Sequence, residues 1–311
     1  MLRLTTESRP TPAAPAVVRD LLVRTSRTFA LAIPLLPEPT QNALAVAYLL
    51  FRVADTLEDA AHWSRDERVA ALDELVPILR RGDAARARAA SRDWVVRNAT
   101  VDKGCLDLLI AFPALLDELS TWPSARAHIV LEHAARTTEG MAQTLREADA
   151  AGHVQLADVA ALRAYCYVVA GIVGELVTAL FVHDAPQLAD VKPALVRHER
   201  AFGEGLQLVN ILKDEHSDAR DGRAYLPVGV PREEILSLAR ADLVEARAYI
   251  AALEEKRSPA GFVAFTTLTV ELAERSLTAL EARGAGAKVS RNEVLGLVAR
   301  LQDKIRHAKW R

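Results

Sequence analysis

Apolar residues recur three and four positions apart along nearly the whole chain, the spacing of one face of an α-helix. The pattern predicts a short helix over about 16–24. "IPLLPEPT" follows, where three prolines stop any helix. "EPTQNALAVAYLLFRVADTLEDA" reads as one long helix from near Glu38. Ser64, with Glu67 three residues on, is an N-cap pattern for a helix that ends near Gly82. The periodicity resumes at about 103–120, 123–148, 156–182 and 187–219. "GRAYLPVGVP" then breaks it, and helices are expected near 231–256, 259–283 and 290–308. "RRGDAARARAASRDWVVRN" (80–98) shows no clear apolar stripe and is expected to be a solvated connection, the alternative being a basic surface for anionic lipid or diphosphate. No strand-like alternation and no internal repeat stands out. About ten helices without strands predict an all-α fold, one helical domain with a central cavity, spanning 16–311 after a loose lead over 1–15.

Composition sharpens this picture. Half of the 311 residues are apolar but only 5% are aromatic, so Ala, Leu and Val must build the core; Gly and Pro number 14 each, and no linker rich in them divides the chain. A net charge of -2 gives no reason to expect a nucleic-acid partner. Cys105 and Cys166 are too few for a disulfide framework and lack metal-ligand spacing, which suits a reducing compartment. The first fifteen residues lack the apolar core of a signal peptide. The run "YVVAGIVGELVTALFV" (167–182) is short for a membrane span and carries Glu175, so a buried core helix is expected. The expectation is a cytoplasmic chain, monomer or homodimer; its basic end "DKIRHAKWR" reads as a solvated tail, with peripheral bilayer contact as the alternative.

Two stretches do not fit a purely structural role. In "YLLFRVADTLEDA" (48–60), Asp55, Glu58 and Asp59 share a helix face with Tyr48 and Arg52. In "GEGLQLVNILKDEHSDARDGRAYLP" (203–227), Gln207, Asn210, Asp214 and Asp218 form a second stripe, with Leu206, Leu208, Val209, Ile211 and Leu212 as its apolar back. Three like charges on one face repel unless something positive lies between them. Carboxylates at i and i+4 suit Mg²⁺, which takes one or two of them and completes its shell with water and phosphate oxygens. Arg52, Lys213 and Arg223 flank the acids as donors for those oxygens. A solvated acidic face and a metal site both remain open on spacing alone.

Five segments, in order, resemble the squalene/phytoene synthase family: "SRTFA" (26–30), "YLLFRVADTLED" (48–59), "EGMA" (139–142), "YCYVVAGIVGE" (165–175) and "LQLVNILKDEHSDARDGRAYLP" (206–227). The likeness spans roughly 20–230. It implies the isoprenoid synthase fold and head-to-head joining of two prenyl diphosphates. By that resemblance Asp55 and Asp59, supported by Glu58, match the first metal motif, and Asp214 and Asp218 the second. Ser26, Arg27, Arg52 and Arg223 match diphosphate contacts, joined by Tyr225. Gln207 and Asn210 match polar pocket residues, Tyr165 the tyrosine of proton transfer, and Phe29 an aromatic near the nicotinamide of NADPH. Tyr48 and Arg52 complete the catalytic wall. Lys213 and Ser217 depart from the family pattern, which has Arg before the first Asp of the second motif and an acid before the last; Glu215 lies on the other flank. Ala170, Gly171 and Gly174 either leave room for prenyl chains or let helices approach closely. "DTLED" is more similar to squalene synthases, implying conversion of two farnesyl diphosphates through presqualene diphosphate to squalene, with Mg²⁺ and NADPH. Phytoene or dehydrosqualene synthesis without reductant, a non-catalytic role in assembly or lipid binding, and a terpene cyclase of one substrate are the rival readings.

Overall fold

Local signals set most helix ends in the computed structural model, which describes residues 14–26, 28–149, 152–220, 222–255 and 258–308. The first helices are α1 (Ala14–Thr25), α2 (Phe29–Ala32) and α3 (Thr40–Glu58). Helix α4 (Arg65–Arg81) begins at the expected capping box. Ser64 Oγ accepts the Glu67 N–H while the Glu67 carboxylate accepts the Ser64 N–H at 2.8 Å. It ends at Gly82, whose φ of 60° places it in the left-handed region. The helices α6 (Lys103–Ser120) and α7 (Ser124–Glu147) follow within a residue of expectation.

The stretch expected as a solvated connection is instead a helix, α5 (Ala84–Val96). Asp83 caps it by accepting the Arg86 N–H at 2.9 Å. Its buried face is Ala87, Ala90, Ser91 and Trp94, a correct helical spacing built mainly of small side chains that carry little hydropathy signal. Trp94 stacks on Phe112 of α6 with ring centroids 5.9 Å apart. Three arginines of the stretch 80–98 are ion-paired, Arg80 with Glu139, Arg88 with Asp117 and Arg97 with Glu67.

The apolar run of 159–184 is one continuous rod with a widened middle: α8 (Val159–Cys166), a π-helical segment (Tyr167–Gly171) and α9 (Ile172–Asp184). Among the described residues it is the one helix long and apolar enough to cross a membrane, yet 56% of its most apolar window is buried inside the protein. That is the burial expected of a core helix. Next come α10 (Lys192–Arg220), α11 (Arg232–Glu255), α12 (Ala260–Arg283) and α13 (Arg291–Ala308). The described residues contain no strand, only an isolated parallel bridge between Gln155 and Ala224.

Helix α3 is apolar nearly all round and lies against α1, α6, α7 and α9. Each Leu, Val or Phe it buries contributes about 1.5–3 kcal/mol, which offsets the cost of carrying acids on such a helix. On the other side α10 lies against α9, α11 and α12. The approach of α9 to α10 is backbone on backbone. A Cβ added at Gly174 would lie 2.0 Å from the Glu199 carbonyl oxygen, and one at Gly203 1.9 Å from that of Ala170. Helix packing is therefore one answer for Gly174. With α9 between them, α3 and α10 form two walls of a cavity.

Candidate active site

That cavity has a volume of about 400 Å³, and both acidic stripes line it. From α3 come Tyr48, Arg52, Asp55 and Glu58, with Asp59 at the helix end; from α10 come Gln207, Asn210, Asp214 and Asp218; Arg223 and Tyr225 follow on the next loop. Helical spacing of three and four aligned each set, and the fold turned the sets toward one space. The deeper lining is apolar: Ile33, Leu44, Phe51, Val173, Val177 and Phe265. Leu206 and Ile211, expected on the core side of α10, also line the cavity, so the apolar depth reaches around the polar stripe.

Charge at the polar end is arranged in short contacts. Arg52 pairs with Asp55 at 3.5 Å within α3. Arg223 pairs with Asp59, joining the loop after α10 to the end of α3 across the mouth. Its backbone N–H also donates to the Asp218 carbonyl at 2.8 Å, so the turn beyond α10 fixes where this guanidinium starts. Burial pushes the Asp55 carboxyl up to about 6, with Arg52 opposing and Asp59 adding to the rise. Its side chain keeps 36% of its surface open, and that surface faces the cavity. Glu58 is raised well above the ordinary carboxyl range by burial and by its neighbours Asp59 and Asp55. Burial thus favours the protonated form of both acids, and a cation beside them would favour their ionisation.

Tyr165 projects from α8 and stacks on Tyr225, with ring centroids 4.5 Å apart and planes 19° from parallel. Burial, then the nearby Glu58, raises its phenol well above the usual value, so it stays protonated at neutral pH. Tyr48 donates from its hydroxyl to the Thr25 carbonyl at 2.8 Å and packs on Phe29 at 5.4 Å. Phe29 thus lies on the cavity wall beside Tyr48.

Two of the expected site residues lie away from the lining. Ser26 accepts the Phe29 N–H at 3.1 Å on its Oγ, bracing the turn into α2. Lys213 donates to Asn210 at 2.9 Å and lies 3.3 Å from Asp214, so it orients two residues of the stripe from the side. Arg27 lies outside the described residues. Of the departures from the family pattern, Ser217 donates its hydroxyl to the Asp214 carbonyl at 2.7 Å. Glu215 pairs with Arg232 at 3.4 Å and is absent from the lining, so it supplies no carboxylate where Ser217 lacks one.

The structure adds residues that sequence reasoning missed. Thr137 and Met141 of α7 line the cavity, and Thr137 Oγ donates to the Val168 carbonyl in the π segment at 3.1 Å. Met141 lies inside the quoted "EGMA", which was the available signal. Gly140 in the same segment lets α7 meet Val168: an added Cβ would lie 2.5 Å from it. Phe265 and Thr269 come from α12, far along the chain, with no local signal.

The acids suit a hard divalent ion. Among the described residues no three His, Cys, Asp or Glu side chains converge closely enough to hold a metal by themselves. Mg²⁺ does not need that, because water and phosphate oxygens fill most of its shell. Paired carboxylates on each wall are that kind of donor set. For a nicotinamide ring the aromatic wall of Phe29 and Tyr48 is the surface at hand, and no glycine-rich phosphate turn opens from a strand among the described residues.

Comparison with known proteins follows the same line. A family model described as squalene/phytoene synthase matches residues 22–234. The squalene synthase of Schizosaccharomyces pombe is 27% identical over 211 residues, covering 67% of this chain and 43% of that protein. That of Yarrowia lipolytica is 29% identical over 208 residues, covering 67% and 44%. The chain thus spans less than half the length of these curated relatives. Among solved structures, a ligand complex of the squalene synthase TcSQS matches with a TM-score of 0.74 at 20% identity, over 91% of this chain and 84% of that one. A dehydrosqualene synthase in complex with ligand matches at 0.54 and 20% identity, over 94% and 96%. At these identities the structural likeness establishes the isoprenoid synthase fold.

Proposed function

This chain belongs to the squalene/phytoene synthase family, and from that premise we propose that it is a prenyltransferase that joins two farnesyl diphosphates head to head. One observation carries the reading: both acidic stripes, Arg52 and Arg223 line the polar end of one cavity whose depth is apolar. A prenyl diphosphate has the same polarity, a charged head on a hydrocarbon tail.

Asp55, Asp59, Asp214 and Asp218, with Glu58 behind them, are the residues that would hold Mg²⁺. The ion would neutralise the diphosphate and favour its departure as pyrophosphate. Arg52 and Arg223 grip phosphate oxygens and orient the scissile C1–O bond. The electron pair of that bond leaves with the pyrophosphate. The C1 cation of the first farnesyl group is attacked by the C2=C3 bond of the second, which moves the positive charge to C3. Loss of a proton from C1 closes the cyclopropane of presqualene diphosphate. Tyr165 is neutral, so it relays this proton: it hands its hydroxyl hydrogen to a pyrophosphate oxygen as it takes the new one. The stacked faces of Tyr165 and Tyr225 also shield cationic carbon from water. Ser26 and Lys213 act by bracing the lining, and Gln207 and Asn210 set its polarity.

Past presqualene diphosphate the products diverge. Squalene requires NADPH or an equivalent hydride donor, whereas dehydrosqualene or phytoene requires none. Incubation with farnesyl or geranylgeranyl diphosphate and Mg²⁺, with NADPH present or omitted, decides among them. Hydrocarbon formed only with NADPH supports squalene. Product without it supports the desaturated reading. Absence of pyrophosphate release under every condition overturns the enzymatic proposal in favour of a non-catalytic role. The same reading treats 16–311 as one catalytic unit, cytoplasmic or peripheral to a membrane, without nucleic acid as a partner.

A further inference from the structure

The end of α3 that carries the acids is held from behind by a residue that takes no part in the lining. Arg68 of α4 donates from Nη1 to the Glu58 carbonyl at 3.2 Å, and from Nη2 to the Gly152 carbonyl at 3.4 Å. Its Nε is buried and has no hydrogen-bond partner. Glu58 is the last residue of α3, where carbonyls lack intrahelical partners and a cation is favoured by the helix dipole. Arg65, one turn earlier on α4, donates to the Ala148 carbonyl at 3.2 Å. Two arginines of one helix face therefore clasp the loop between α7 and α8.

That loop is tied to the site. Ala224 donates its N–H to the Val154 carbonyl at 2.9 Å, and Leu156 donates to the Ala224 carbonyl at 3.3 Å. Ala224 sits between Arg223, which pairs with Asp59, and Tyr225, which stacks on Tyr165. A connected path thus runs from Arg68 through Gly152, Val154 and Ala224 to two residues of the cavity lining. Gly152 is the point where only glycine serves. Its φ is +80°, and an added Cβ would lie 1.7 Å from Arg68 Nη2.

We propose that Arg68 is a positioning residue, which clamps the 152–156 rim segment to the end of α3 and thereby sets Arg223 and Tyr225 over the diphosphate end of the cavity. Its catalytic consequence rests on the function proposed above; its structural consequence does not.

The test reads the two separately. Amide hydrogen exchange is measured on the free full-length protein for wild type, Arg68→Ala and Arg68→Lys. Arg68→Ala is expected to speed exchange at Leu156 and Ala224 about tenfold while α3 and α12 keep their protection. Arg68→Lys keeps the charge but cannot span both carbonyls, so it falls between. Gly152→Ala leaves the arginine in place chemically and displaces it sterically, and should raise exchange at the same two amides. Unchanged exchange at Leu156 and Ala224, or equal acceleration throughout the chain, overturns the proposal. With farnesyl diphosphate and Mg²⁺, Arg68→Ala should lower kcat/KM about ten- to a hundredfold, mainly through KM, with partial rescue in Arg68→Lys. A loss of kcat alone with KM unchanged also overturns it. Should the wild type turn over no prenyl diphosphate, the proposed function fails while the exchange result still decides the clamp.

Discussion

Replacing Gly174 by alanine tests whether the cavity walls are set by direct backbone contact. The new Cβ would sit 2.0 Å from the Glu199 carbonyl oxygen, a full 1.0 Å inside the 3.0 Å that real Cβ contacts respect. The obstacle is backbone of α10 and cannot rotate away, so α9 and α10 must part by about that distance. Overpacking of this kind costs up to about 3 kcal/mol. Alanine regains about 1 kcal/mol of helix propensity over glycine. The net loss is about 2 kcal/mol, which lowers the melting temperature by about 3 °C for a chain of this size. Because Gly174 also lines the cavity, the shift moves the stripe of Asp214 and Asp218 relative to α3. A misplacement of about 1 Å can cost a hundredfold in rate. Gly296→Ala is the matched control, since a Cβ there meets nothing within 4 Å. It should leave pyrophosphate release unchanged and raise stability by up to about 1 kcal/mol. Calorimetric melting and pyrophosphate release are measured on both variants. If Gly174→Ala melts as high as Gly296→Ala, the close-approach argument is wrong.

Asp55→Asn and Asp214→Asn should each abolish turnover while circular dichroism and melting stay near wild type; near-normal rates in either would remove the metal assignment. Tyr165→Phe should slow formation of presqualene diphosphate from farnesyl diphosphate far more than it weakens substrate binding, and normal accumulation of that intermediate would refute the relay. Asp55 titrates near pH 6 when folded, above the usual value of about 3.9 for an unfolded chain. Its contribution to metal-free stability is therefore full below about pH 4 and lost as pH rises through 6. Mg²⁺ needs the ionised form, so the stabilisation that Mg²⁺ confers on melting should shrink as pH falls below 6. An Asp55→Asn variant should flatten that dependence, and a wild-type Mg²⁺ effect constant from pH 5 to 8 would contradict it.

The sites that were legible in advance share one property: their signal is local. The Ser64–Glu67 capping box and the Gly82 stop are written within a turn of the ends they fix. Helix α5 escaped because Ala87, Ala90 and Ser91 are too small to register as an apolar stripe, and Trp94 alone does not make one. Lys213 was expected in the lining because it neighbours Asp214 in sequence, but one residue is about 100° around a helix, and the fold turned it aside. Arg68 had no sequence signal, since the carbonyls it binds belong to residues 10 positions before it and 84 after it.

The sequence alone determined that the chain is helical, that Asp55, Glu58 and Asp59 share one face, and that Asp214 and Asp218 share another, because helical period is a property of consecutive residues. Only the tertiary structure decided that those faces meet across one cavity, that Arg223 reaches Asp59, and that Gly152 admits Arg68. Those facts depend on which helices pack together, and packing is settled by shape and burial summed over the whole chain rather than by any short stretch of it.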